Sequence, residues 1–250
     1  MESYKATLAN ELFRMYRRKK AVLVVILSVG IIAAVQLLSL ILRSGLGILG
    51  GTGTGFPVTV LSIVSGTLLP LFVTLAVIDT FTGEYAADTM KITITKPVTR
   101  LRIYLAKLSA VGVFVLINLG IVLVLSLLLT ILFHARSLSL AWFFNVILAY
   151  AATFFPIMTL AVVVAYPACV LKGGAAVFFL SILAYLVFQG LGLVFPSLSG
   201  ILVTSLLDWY KLWTASRLPV GSIVRSLSVM LAYLLIFFAL GFRRFDRRDL

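Results

Sequence analysis

LSAVGVFVLINLGIVLVLSLLLTILF, residues 108–133, holds no charged side chain. As an α-helix rising 1.5 Å per residue it is about 39 Å long, and a hydrocarbon core of about 30 Å asks for only about 20 residues. The stretch therefore reads as a transmembrane helix, and the rest of the chain has to be organised around a bilayer.

Composition agrees with that reading. Hydrophobic residues make up 62% of the 250-residue chain and charged residues only 12%, with a mean hydropathy of +1.17. A water-soluble domain carries about a quarter of its residues charged. Lipid must then serve as solvent for much of this surface. Five further segments reach or approach spanning length, at about 21–42, 58–78, 142–171, 175–195 and 222–242. The expected fold is all-α: a polytopic membrane protein of six transmembrane helices in a single domain, residues 1–250.

The net charge of +13 sits at the ends of the apolar runs rather than on one face. Lys5, Arg14, Arg17, Arg18, Lys19 and Lys20 precede the first span, and Lys91, Lys96, Arg100, Arg102 and Lys107 lie between the second and third. Lys172 separates the fourth from the fifth, and Arg243, Arg244, Arg247 and Arg248 follow the sixth. Alternate crossings leave only Arg43, Arg136, Lys211, Arg217 and Arg225 for the other side. The positive-inside rule puts the richer side, and with it both termini, in the cytoplasm of a cell-membrane protein. Basic charge is thus explained by topology, and no nucleic-acid motif accompanies it.

Three segments outside the spans have distinct characters. In residues 1–20, Leu8, Leu12, Met15 and Tyr16 recur at helical spacing beside Arg14, Arg17 and Arg18. That pattern predicts an amphipathic elbow helix lying in the inner membrane interface, in contact with lipid. Residues 196–221 carry Trp209, Tyr210 and Trp213, and are expected to form one or two short helices on or dipping into the outer leaflet. Residues 81–107, FTGEYAADTMKITITKPVTRLRIYLAK, form the longest cytoplasmic loop. Gly83 is expected to permit a sharp bend at the end of the span. Glu84 and Asp88, four apart, are expected on one face of a short helix near its N-terminal end. Pro97 breaks the segment, and the next helix starts near Thr99. A helix–break–helix of mixed polarity at the membrane face is a docking surface for a soluble partner.

Several kinds of chemistry find no residues to carry them. GTGTG at 51–55 is not followed by Gly-Lys-Ser/Thr, so no phosphate-binding loop is expected in this chain. His134 and Cys169 are the sole histidine and cysteine, which leaves no metal-ligating set and no internal disulfide. Pro156 and Pro167 read as bends in the fourth span. Asp79 and Asp208 sit near span ends, so an ion pathway through the bilayer has too few acids. A lipid-modifying enzyme would need a clustered acid, base or nucleophile near one leaflet, and none is evident.

The cytoplasmic loop resembles the signature loop of ABC-2 type transporter permeases. The similarity rests on Gly83-Glu84, Asp88-Thr89-Met90, Lys96-Pro97-Val98-Thr99-Arg100 and Ala106-Lys107, and on the tail Phe242-Arg243-Arg244-Phe245-Asp246-Arg247-Arg248-Asp249. Asp88 stands where glycine is usual in that family, and Lys96 where arginine or serine is frequent. The layout also matches: amphipathic N-terminal helix, six spans and a long outer loop before the last. The resemblance implies the transmembrane subunit of a bacterial ABC exporter, paired with a second permease subunit as a homo- or heterodimer. Each subunit would rest on a separate ATP-binding cassette ATPase that holds the ATP and Mg, with no cofactor on this chain. Residues 81–94 would be the coupling element, and the residues implied in coupling are Gly83, Glu84, Tyr85, Asp88, Thr89, Met90, Lys96, Pro97, Arg100 and Lys107. A second, smaller contact is implied at Lys172. The largely apolar spans point to a hydrophobic or amphipathic cargo. The alternative is a non-transporting membrane scaffold or sensor whose docking loop holds a cytoplasmic partner.

Overall fold

A computed structural model describes residues 2–16, 24, 26–37, 55–86, 99–134, 139–215 and 218–247. Among these residues there is helix and connecting turn but no strand. The elements are α1 (Glu2–Tyr16), α2 (Ile26–Leu37), α3 (Phe56–Ile63), a π-helical turn (Val64–Leu68), α4 (Leu69–Ala86), α5 (Arg100–His134), α6 (Leu140–Val170) and α7 (Gly174–Val194). A 3₁₀ turn (Pro196–Leu198), α8 (Val203–Leu206), α9 (Tyr210–Trp213) and α10 (Val220–Asp246) complete the order.

Five helices among the described residues are long and apolar enough to cross a membrane: Phe56–Gly83, Arg100–Phe133, Leu140–Val170, Gly174–Val194 and Val220–Asp246. They fall within a few residues of five of the expected spans, except that the helix of the third starts eight residues earlier, at Arg100. The expected first span is represented by α2, a shorter apolar helix.

Helix α6 is the centre of the bundle, in contact with α3, α4, α5, α7, α8, α9 and α10. Its buried surface mixes large side chains such as Tyr150, Ile157 and Leu160 with many small ones: Ala149, Ala152, Thr153, Thr159, Ala161, Ala165 and Ala168 are all buried. Small residues let helix backbones approach closely, which is the main source of helix association where lipid removes the hydrophobic drive. Pro156 and Pro167 lie inside the continuous helix. By contrast α7 and α10 leave most of their apolar side chains uncovered, including Phe179, Leu183, Val187, Leu231 and Leu235.

The fold departs from the expected one at two places. There is no bend at Gly83: α4 runs through Gly83, Glu84 and Tyr85 to Ala86, because tertiary packing of Phe81 and Thr82 holds the helix past the glycine. Glu84 accordingly lies at the end of α4 rather than at the start of a separate helix. The aromatics of residues 196–221 also turn inward. Trp209 and Tyr210 are buried, and Trp209 packs edge-on against Phe155, half-way along α6, with Trp213 stacked edge-on behind it. The segment bearing α8 and α9 thus folds back into the bundle, and its rings face protein rather than headgroups.

The second span carries an irregularity that the sequence explains once it is seen. Pro70 has no N–H, so the carbonyl four residues back, on Gly66, loses its α-helical donor. The chain passes through a π turn at that level, where the Leu69 amide donates to the Val64 carbonyl. The Tyr185 hydroxyl of α7 donates to the Gly66 carbonyl and restores its partner.

Candidate coupling face

At one end of the bundle the end of α4, the start of α5, the turn at 171–173, the end of α10 and the side of α1 come together. Thr82 donates to the Ala168 carbonyl in the last turn of α6, covering one of the orphan acceptors that a helix end leaves. A Cβ on Gly174 would stand 2.9 Å from Ile78, so the tight turn is pressed against α4. Tyr4 and Ser109 join their hydroxyls at 2.8 Å between α1 and α5. Basic residues collect here: Arg100, Arg102, Lys107, Lys172, Arg243 and Arg244 all belong to these segments. Lys211, Arg225 and the Tyr150–Pro57 hydrogen bond belong to the opposite end.

Lys107 is the most unusual of the expected coupling residues, because it is wholly inside. Its side chain is 0% exposed, and its ammonium donates to Glu11 of α1 at 3.1 Å and to the Thr80 carbonyl of α4 at 2.8 Å. The Phe81 ring lies 6.0 Å from the same nitrogen. Glu11 is itself only 5% exposed. A buried charge is tolerated only with a partner of opposite sign and good hydrogen bonding, and these contacts supply the opposite charge and two acceptors. One side chain thereby ties α1, α4 and α5 together. Glu11 was not among the residues singled out from sequence. Its one local signal is an acid set on the same helical stripe as Leu8, Leu12 and Met15.

An aromatic knot lies beside this pair. Tyr104 is buried against Phe81, Phe238, Phe242 and Phe245, with ring centroids 5.3 to 5.9 Å apart. Gly241 makes room for it: a Cβ there would sit 2.4 Å from the Tyr104 hydroxyl. Arg100, at the first residue of α5, donates to the Asp246 carbonyl and stands 4.0 Å from its carboxylate. A guanidinium at the C-terminal end of α10 meets the negative pole of that helix. The pair is open to solvent, so its worth to stability is small.

Of the other expected residues, Gly83 is half-buried in α4, and Glu84 and Tyr85 follow it in the same helix. Lys172 lies in the turn between α6 and α7, exposed. A groove of about 390 Å³ runs between α4 and α7 at this end, lined by Asp79, Thr82, Gly83, Gly174 and Phe178 among others. Asp88, Thr89, Met90, Lys96 and Pro97 lie outside the described residues. Cys169 is buried near the end of α6.

A family model described as ABC-2 family transporter protein matches residues 8–175. The match starts inside α1 and ends just beyond the 171–173 turn, so it takes in Glu11, Lys107 and Lys172 alike. Among curated proteins no match to the chain is found.

Proposed function

Since the chain belongs to the ABC-2 family of transporter proteins, and is therefore a multi-pass membrane transport component, we propose that it is the permease subunit of an ATP-driven exporter in the cell membrane. In this reading both termini and the basic end of the bundle face the cytoplasm, and a separate ATP-binding cassette ATPase docks there. The chain pairs with a second permease subunit, and ATP is hydrolysed on the partner. The cargo is hydrophobic or amphipathic.

The main support is the way the basic end is built. The flanks of the 81–107 segment, the Lys172 turn and α1 are joined by buried contacts into one block. Force applied at a docked loop would pass into α4, α5 and α1 together rather than into a loose tether. A transport cycle needs such an element, with contact energy that differs between two states. Glu84, Tyr85, Asp88, Thr89 and Met90 would seat in the ATPase, with Arg100 and Lys107 holding the loop's exit.

The test is to express the chain together with any ATP-binding cassette protein encoded beside it, co-purify the two, and follow hydrolysis and vesicle transport. Glu84→Ala is expected to leave the permease in the membrane and lower coupled hydrolysis by roughly tenfold, within the usual 1–3 kcal/mol of coupling. An ATPase that does not co-purify, or whose rate ignores the permease, would replace this reading with that of a scaffold or sensor.

A further inference from the structure

We propose that the pocket between the second, fourth and fifth spans is a binding site for one acyl tail of a bilayer lipid, which enters sideways from the hydrocarbon region. The pocket measures about 290 Å³ and is walled by Gly66, Pro70, Leu160, Val164, Ser181 and Tyr185. All of these lie well inside their spans, Phe56–Gly83, Leu140–Val170 and Gly174–Val194. Val164 and Ser181 come nearest a span end, about 10 Å along the helix from it at 1.5 Å per residue, so the pocket lies within the hydrocarbon region.

At that depth the available solvent is hydrocarbon, and the lining suits it. Most polar groups around the pocket are already engaged. Thr67 donates to the Ile63 carbonyl at 2.6 Å, Thr74 to the Pro70 carbonyl at 2.7 Å, and Tyr185 to the Gly66 carbonyl. Ser181 alone has a hydroxyl with no partner among the described residues. A headgroup or a charged ligand would lose its hydration here and find one hydroxyl in return. An alkyl chain loses nothing.

The way in is lateral. Leu71 and Leu186, on the rim, are 37% and 60% exposed, so the pocket is continuous with the lipid-facing surface. The wall that makes the hollow is the π turn, and π turns are frequent at functional positions. A Cβ on Gly66 would meet nothing within 4 Å, so the hollow begins at the backbone itself. The site does not depend on ATP or on a partner, so it stands or falls separately from the exporter reading.

The experiment uses the full chain in phospholipid vesicles containing a phosphatidylcholine with a diazirine near the middle of one acyl chain. After illumination, the labelled residues are located by mass spectrometry. Wild-type protein is expected to carry label on Ser181, Ile182 and Tyr185 at least fivefold above Leu183 and Val187, which face outward on the same helix. Gly66→Leu, which fills the hollow, is expected to remove that excess while leaving Leu183 and Val187 unchanged. Ser181→Leu, from the opposite wall, is expected to do the same if Gly66→Leu does not insert. Equal labelling around α7 in the wild-type protein, or an excess that survives both substitutions, would overturn the proposal and leave only ordinary boundary lipid.

Discussion

Lys107→Met is expected to destabilise the protein by about 3–5 kcal/mol, the usual cost of removing one partner from a buried ion pair. The loss does not come from the pair's attraction, which burial largely cancels. It comes from Glu11, 5% exposed and held at 3.1 Å by the Lys107 ammonium, which would lose its opposite charge while staying buried. Glu11→Leu takes the carboxylate away from an ammonium that is 0% exposed, and should cost a similar amount. The double substitution removes both charges and is expected to recover most of the stability, because apolar replacement of a whole buried pair is close to neutral or better. Thermal unfolding of the detergent-purified variants measures all three. A single substitution that costs less than about 1 kcal/mol would mean that the ammonium is reached by water and that α1 is not locked. If the double variant is stable but uncoupled from the proposed ATPase, the pair serves transmission rather than folding.

Gly241→Ala is expected to change sign according to what stands at position 104. In the native protein the new methyl would lie 2.4 Å from the Tyr104 hydroxyl, and the ring cannot retreat because four phenylalanines surround it. Overpacking of this kind costs about 1–3 kcal/mol, against roughly 1 kcal/mol gained when alanine replaces glycine in a helix. The net effect is a loss. Tyr104→Phe removes a buried hydroxyl that has no hydrogen-bond partner among the described residues, so it is expected to be neutral or mildly stabilising. In that background the nearest remaining atom is the ring carbon at 3.4 Å, an ordinary contact. Gly241→Ala should then stabilise by about 1 kcal/mol. A double-mutant cycle on unfolding midpoints reads the coupling directly. Additive effects would place the tyrosine ring elsewhere than in the knot between α4, α5 and α10.

The spans were legible because apolar length is a one-dimensional property. The run expected at 175–195 is the helix Gly174–Val194, and that expected at 142–171 is Leu140–Val170. Which side of a span faces protein is not one-dimensional. Trp209 looked like a headgroup anchor by residue type, yet it packs on Phe155, whose position along α6 no local pattern announces. The same limit hid the Glu11–Lys107 pair, whose partners are 96 residues apart. Lys107 and Arg100 were reachable only through family resemblance, and the resemblance placed them at the loop's exit without telling that one is sealed inside and the other is at the surface. The π turn did leave a trace, a proline four residues after a glycine. What the trace could not say is that Tyr185 would supply the missing donor.

That repair has a mechanical consequence for the second span. Over 28 residues, Phe56–Gly83 would be a stiff rod if its ladder of backbone bonds were continuous. At Gly66 the ladder skips a rung, and the substitute belongs to a neighbouring helix. Swinging α3 against α4 then disturbs one phenol-to-carbonyl bond, worth about 1 kcal/mol net, instead of a row of amide bonds. The span is in effect two levers on a common pin, and α7 holds the clasp.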